Sequence, residues 1–341
     1  MNTLLVIGSN GQLGSELKEA LKIPRDFPRE NLSLKMVSGT FTQAKTNQTP
    51  FSSLCVDRDE LDITDVDAVQ RFFNQHTPDY CINAAAYTNV EKAEEEQSLA
   101  HAVNAQGAEN IARSCAKNNT ILFHISTDFV FDGKKTVPYT EEDEPHPLGA
   151  YGRTKYEGEL AVQKLCPKSF IIRTSWLYSS FGHNFVKTIL GLCKERTVMG
   201  SGTNSLAKLS QTPLPIVADQ YGSPTYARDL AEALLRMIEK MGSGTDFAVA
   251  KTEPDPILFG IYHYANDGEV TWFEFAQKIR DVAGLSCEFK PITTSAYPTK
   301  VTRPAYSALS TKKIQHTFGV AIPDWDASLS ECMSLLARRV H

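Results

Sequence analysis

The chain has 341 residues, 42% of them hydrophobic and 22% charged, enough for two domains or one large α/β domain with a lobe. A formal net charge of −5 gives no basic footprint for nucleic acid or an anionic membrane, and no apolar run is long enough to span a bilayer. Seven scattered Cys without a Cys-x-x-Cys pair point to a reducing compartment, the cytoplasm, and away from a disulfide framework or a zinc site.

Met1 to Ile7 lacks the charged start of a leader and reads as a first buried strand centred on Leu4–Ile7. Gly11 to Leu21 has helical periodicity through Leu13, Leu17 and Leu21. The polar stretch at about 24–52 is long for a connection and is expected to be a surface insertion. Leu54–Val56 resumes as a strand, and Asp65 to Gln75 is expected as a helix with Thr64 as N-cap. Tyr80–Ile82 reads as a strand, Leu99–Asn118 as a helix, Ile121–Ile125 as a strand, 151–164 as a helix and Phe170–Ile172 as a strand. This β-α alternation predicts an α/β protein with a doubly wound parallel sheet. Residues 1–176 would form the nucleotide-binding domain, with a return at about 226–263, and 177–341 mainly a smaller C-terminal lobe. In that lobe helices are expected at 184–195, 228–241, 273–283 and 329–339, with further insertions near 199–215 and 242–258.

Between the first strand and helix lies Gly8-Ser9-Asn10-Gly11-Gln12-Leu13-Gly14. Glycines at this spacing allow a tight turn and let backbone N–H groups approach a pyrophosphate. Asp57 and Arg58 follow the second strand; the carboxylate suits a ribose 2′-hydroxyl and the guanidinium a 2′-phosphate, which leaves NAD against NADP open. Asp62 and Ile63 stand where an adenine could be met. The small side chains Ala84, Ala85 and Ala86 follow the strand at 80–82 and suit either close approach to a cofactor or helix–sheet packing. Ser126 and Thr127 end the strand at 121–125, at the carboxyl edge where such sheets bind ligands, and their hydroxyls can bond a carbonyl. Asp128 reads as a pocket residue or an Asx-turn residue, and Asn104 as a proton-relay or a structural side chain. Tyr151 and Lys155, four apart, share one helix face. An ammonium beside a phenol is expected to lower its pKa from about 10 toward neutrality, making Tyr151 a proton donor. Trp176 lies just beyond the strand at 170–172, at a crevice position. The eight His show no metal-ligand spacing and none is assigned to a metal.

Together these blocks resemble the extended short-chain dehydrogenase/reductase superfamily, with its Rossmann-type fold, and within it the dTDP-4-dehydrorhamnose reductases. The resemblance spans nearly the whole chain. Its more specific blocks are Arg-Thr-Ser-Trp-Leu-Tyr at 173–178, Asn-Phe-Val-Lys-Thr at 184–188 and Arg303-Pro304 with Ser307. It implies reduction of a dTDP-sugar 4-ketone by NADPH, or NADH, with Tyr151 as proton donor, Lys155 as its partner and ribose ligand, and Thr127 orienting the carbonyl. Cofactor contacts are implied at Gly8, Asn10, Gly11, Gln12, Leu13, Gly14, Asp57, Arg58, Asp62, Ile63, Ala84, Ala85, Ala86 and Ile125. Thr88, Val90, Thr127, Asp128, Tyr151 and Trp176 are implied around the sugar. A homodimer is implied as well; some members bind Mg2+ at that interface, a feature the sequence does not support by itself. A dehydratase would carry Asp-Glu after the Thr, whereas this chain has Thr127-Asp128-Phe129, so elimination lacks a catalyst. A non-catalytic reading, similar to the regulatory β subunit of methionine adenosyltransferase, keeps the same glycine turn and Tyr-Lys pair; the blocks at 173–178 and 184–188 favour the reductase.

Overall fold

Leu4, Leu5, Val6 and Ile7 are all buried, so this strand is covered on both faces, the condition for the interior of a parallel sheet. The computed structural model describes residues 2–22, 51–199, 212–242 and 259–339; most of the three expected insertions near 24–52, 199–215 and 242–258 lies outside them. In the first half β1 (Asn2–Ile7), α1 (Gln12–Lys22), β2 (Phe51–Val56), α2 (Val66–His76), β3 (Tyr80–Asn83), α3, β4 (Ile121–Thr127), α4 (Ala150–Leu165) and β5 (Ser169–Thr174) follow one another. Helix α3 runs through Gln97–His101, a π-helical turn at Ala102–Gln106, and Gly107–Lys117. The second half sets β6 (Leu177–Tyr178), β7 (Leu214–Val217), β8 (Tyr221–Gly222), β9 (Thr225–Tyr226), β10 (Gly260–Tyr264), β11 (Val270–Thr271) and β12 (Phe289–Ile292) among five helices. These are α5 (Phe185–Met199), α6 (Ala227–Gly242), α7 (Trp272–Val282), α8 (Lys312–Phe318) and α9 (Trp325–Arg339).

Six strands form one parallel sheet in the order β10-β5-β4-β3-β1-β2. Alternate residues feed two cores, as the two-residue period of a strand requires. Leu4, Val6, Ile82, Phe123 and Ile172 pack with Leu17 of α1 and Leu230, Leu234 and Ile238 of α6. Leu5, Ile7, Cys81, Leu122 and Ile171 pack with Phe73 of α2, Ile111 of α3 and Val162 of α4. The strand order turns back between β1 and β3, which opens a crevice beyond the carboxyl ends of the strands. A third core belongs to the C-terminal lobe and joins Tyr178, Val186, Ile189, Leu214, Phe275, Ile279 and Leu329.

The expected cap of α2 moves by one residue. Asp65 accepts from the amides of Asp67 (3.0 Å) and Ala68 (2.9 Å), while the Thr64 hydroxyl donates to Asp62 Oδ1 at 2.7 Å and is not available to cap.

What fixes α4 against the sheet is a buried ion pair. Glu159 and Arg173 are 0% and 1% exposed. Arg173 donates from Nη2 to Glu159 Oε2 at 2.6 Å and from Nε to Oε1 at 3.0 Å. Ser126, directly opposite Arg173 in the β4–β5 register, donates its hydroxyl to the same carboxylate. The Arg173 guanidinium also lies over the Phe131 ring, 5.1 Å from its centroid. One carboxylate on α4 therefore ties together adjacent residues of two strands. Removing one partner strands the other charge in the interior, so Arg173→Met should cost about 3–5 kcal/mol. Replacing both with Glu159→Leu and Arg173→Met should recover much of that loss. Urea unfolding of the single and double variants checks this.

Candidate active site

The turn after β1 is shaped by glycine. Gly8 has φ +80°, and a Cβ there would meet Ala85 N at 2.6 Å, while one on Gly14 would strike the Gly8 carbonyl. Gly8 N and Ser9 N donate to Val56 O, both at 3.0 Å, which holds the turn against the end of β2. The start of α1 is left bare at the strand-order reversal, and its unpaired amides suit a pyrophosphate. A cradle that any side chain would fill fits a dinucleotide.

The turn borders a crevice of about 820 Å³. Its lining includes Gly8, Gly11, Gln12, Leu13 and Gly14 from the turn; Asp57, Arg58, Asp62 and Ile63 after β2; Ala84, Ala85, Ala86, Thr88 and Val90 after β3; Ile125 and Thr127 from β4 and Asp128 just after it; and Tyr151, Lys155 and Trp176. Asn10 is outside that lining: its side chain is exposed and accepts from Lys18 Nζ at 2.8 Å. Arg58 Nε stands 3.6 Å from Asp62 Oδ2, with 73% of the Arg58 side chain open to solvent. Among the described residues no group of three or more His, Cys, Asp or Glu is placed to hold a metal.

In the crevice, Tyr151 and Lys155 project from one face of α4 as the spacing required. Their electrostatics differ from the expectation. Lys155 Nζ donates to Ile125 O at 2.7 Å, and burial lowers its pKa to about 8, opposed by Glu159. Burial pushes the Tyr151 phenol up to about 12, with the Thr127 hydroxyl lowering it and the Asp128 carboxylate raising it further. Desolvation of the phenolate therefore outweighs any help from the ammonium, and Tyr151 holds its proton across the physiological range. The phenol meets Phe129 edge-on, ring centroids 5.6 Å apart. Thr127 donates to Asp128 Oδ1 at 3.0 Å and accepts from Phe129 N at 3.2 Å. Asp128, 2% exposed, is raised to about 6 by burial, with the Ser307 and Thr127 hydroxyls pulling the other way. Ser126, read with Thr127 as a carbonyl ligand, spends its hydroxyl on Glu159. Asn104 sits in the π-helical turn and bonds Tyr87 through both its backbone groups, accepting from N at 2.8 Å and donating to O at 3.1 Å, and donates to Thr154 Oγ1 at 3.1 Å. Its side chain braces the loop after β3 against α4.

Gln12 and Asn184, together with Glu16 and Ser179, which the sequence did not single out, join the two halves of the site. Asn184 Nδ2 donates to Gln12 Oε1 at 2.9 Å and to Ser179 O at 2.8 Å. The Ser179 hydroxyl donates to Glu16 Oε1 at 2.5 Å, and burial raises the Glu16 carboxyl. Helix α1, which begins at the glycine turn, is thus bonded directly to the segment that follows Trp176. Partners more than 160 positions apart leave no local signal. Glu159 did leave one: it continues the i, i+4 row of Tyr151 and Lys155.

The family model described as the RmlD substrate binding domain matches residues 1–338. The dTDP-4-dehydrorhamnose reductase of Aggregatibacter actinomycetemcomitans is 38% identical over 335 residues, covering 96% of this chain and 97% of that one. The chain belongs to the dTDP-4-dehydrorhamnose reductase family. The Salmonella typhimurium reductase is 34% identical and covers 97% of each chain. Among solved structures, the reductase of Clostridium acetobutylicum superposes with TM-score 0.79 at 34% identity, covering 98% of this chain and 99% of its own. That of Bacillus anthracis, in complex with NADP, superposes with TM-score 0.76 at 33% identity, covering 98% and 100%. In this reductase-family chain the parallel sheet, the glycine cradle and the Tyr-Lys face occupy one crevice.

The raised carboxyl of Asp128 carries a measurable sign. An acid whose folded pKa exceeds its unfolded value contributes stability below the unfolded value and loses it as pH rises through the folded one. Charged Asp128 is therefore a cost at neutral pH, and Asp128→Asn should be more stable by up to about 3 kcal/mol. The gain should be about half developed at pH 5 and complete by about pH 7. Urea unfolding across that range tests it; a gain that does not vary with pH would show that Asp128 does not titrate in this window.

Proposed function

We propose that this protein reduces the 4-keto group of dTDP-4-dehydro-β-L-rhamnose with NADPH, giving dTDP-β-L-rhamnose for polysaccharide precursors. The observation that carries this is the protonated Tyr151 phenol beside the Thr127 hydroxyl, in one crevice with the glycine cradle. The NADP complex of the Bacillus anthracis relative supports the cofactor; NADH remains usable where no 2′-phosphate contact is needed. Residues 1–176 with the return at 226–263 serve as the cofactor domain and 177–341 mainly as the sugar lobe. Trp176, Asp128, Thr88 and Val90 face the sugar. The protein works as a homodimer in the cytoplasm; that no Cys forms a disulfide and that no described helix is long and apolar enough to cross a membrane accord with that compartment.

When bound, the reduced nicotinamide supplies the hydride to C4. The chain does the rest. Thr127 orients the ketone oxygen by turning its hydroxyl from Asp128 Oδ1 to that oxygen, and Tyr151 releases its proton to the same oxygen as it gains charge. Lys155 is fixed by the Ile125 carbonyl, where its ammonium can meet a ribose hydroxyl and stabilise the phenolate that the transfer leaves. The Phe129 ring packs edge-on against the phenol and restricts its position.

The test is a coupled assay of the protein with dTDP-4-dehydro-6-deoxyglucose, a 3,5-epimerase and NADPH. Loss of NADPH absorbance with dTDP-rhamnose as product is expected; oxidation without that sugar, or none at all, would overturn the assignment. In the same assay Tyr151→Phe should lower kcat by roughly 10²–10⁴ while cofactor affinity holds. Arg58→Ala should weaken NADPH by about 1.5–3 kcal/mol, the range for hydrogen bonds to a charged group, and leave NADH nearly unchanged. Equal loss for both cofactors in a binding titration would make Arg58 structural.

A further inference from the structure

Among the described residues three non-glycine positions have positive φ. Thr77 caps α2 and Asn119 follows α3, places where a left-handed residue is ordinary. Trp176, at φ +46°, is in neither position, and a bulky residue seldom adopts that conformation unless its surroundings impose it. Its surroundings are specific. The Trp176 indole stacks on Trp272 with centroids 3.5 Å apart and planes 8° from parallel, and Phe185 meets the other ring at 4.6 Å. Gly222 also touches it: a Cβ there would come within 2.5 Å of Cε2 and 2.7 Å of Nε1. Gly222 and Trp272 belong to one device. Strands β8 and β11 pair antiparallel with Gly222 opposite Val270, and Trp272 comes two residues later as the first residue of α7. That helix start is fixed by a capping box, with Glu274 N donating to Thr271 Oγ1 at 3.1 Å and Thr271 N to Glu274 Oε2 at 2.8 Å. Trp176 lines the crevice; Trp272 does not.

We propose that Trp272 and Gly222 are positioning residues for sugar recognition, clamping the strained Trp176 so that its indole stands as a preset wall of the crevice. This rests on the reading that Trp176 faces the sugar. An indole free to turn would lose that freedom each time substrate binds, whereas here the ordering is met during folding. The clamp acts on affinity for the sugar. It touches neither Tyr151 nor the glycine turn, so it leaves proton transfer and cofactor binding alone.

Two of the three Trp in the chain form the stack, and closely stacked indoles whose transition dipoles are rotated in plane couple to give a paired circular dichroism band that reports the clamp. Trp272→Leu should abolish that band, raise KM for the dTDP-sugar about 3–10-fold, the scale of an aromatic pair, and leave kcat and NADPH Kd within about twofold. Trp272→Phe, which keeps a ring, should recover most of the KM. Gly222→Ala leaves Trp272 in place but displaces the Trp176 indole, so it should move the same KM and serves if Trp272→Leu fails to fold. Loss of the band with unchanged KM would overturn the proposal. So would a loss of NADPH affinity equal to the loss for sugar, which would mark a packing role only. Trp176→Ala separates the two layers. If it too leaves KM unchanged, the sugar contact of Trp176 is wrong and the clamp falls with it; if it raises KM while Trp272→Leu does not, the clamp alone is wrong.

Discussion

The Glu159–Arg173 pair holds the chemistry in place. It lies in the dry layer between α4 and the sheet, with Ser126 completing the carboxylate's partners. Desolvating two charges is expensive, and their attraction repays it only where the geometry is good and further hydrogen bonds are made. Here the guanidinium donates at two points and Phe131 covers its face. Hydrophobic packing alone would let α4 slide by a fraction of a turn with little penalty, because apolar contact is non-directional. A forked charge pair does not permit that. Since Lys155 is one turn before Glu159 and Tyr151 two turns before it, the pair sets the axial position and rotation of both.

The same burial that makes the anchor directional sets the protonation states around it. Tyr151 keeps its proton because a phenolate there would be poorly solvated. Lys155 loses part of its preference for charge for the same reason, yet at about 8 it remains largely an ammonium near neutrality, held by a backbone carbonyl. An acid that is fully loaded and becomes strong only as negative charge grows on the substrate oxygen suits a reduction, in which protonation accompanies hydride arrival. Asp128 adds a second carboxyl of raised pKa next to Thr127, so its charge bears on both the phenol and the pocket.

Polar contacts add direction to the apolar packing that joins the two halves of the chain, such as Tyr306, Ala308 and Leu309 on Val130 and Phe131. Gln12 with Asn184 and Glu16 with Ser179 bind the first helix to the segment after β6, and Trp176 stands where that segment leaves the sheet. The pyrophosphate cradle and the sugar wall are therefore neighbours in one hydrogen-bonded unit. Directional bonds of this kind fix an angle between lobes that two apolar surfaces would leave adjustable.

Local chemistry made much of this legible before any coordinates. The glycine spacing at 8–14 demanded a tight turn, the fully apolar run Leu4–Ile7 demanded a strand covered on both faces, and Tyr151 and Lys155 four apart had to share a helix face; each is a short-range geometric requirement. The order of those elements then led to the parallel sheet and the crevice at its carboxyl edge. What the sequence could not decide depended on distance and solvation. The Tyr151 pKa went the other way because burial, a property of the whole fold, outweighs a neighbour named by spacing. Thr64 lost the cap to Asp65 because its hydroxyl found Asp62. The Asn10 side chain, within the motif, turns to Lys18 on α1, a contact that the glycine spacing does not foretell. The β10 strand is short and pairs with β5 across about ninety positions, and Trp176 meets Trp272 across nearly a hundred. Such pairs carry no periodicity. They exist only when chain closure brings their partners together, and that is decided by the packing of every element between them.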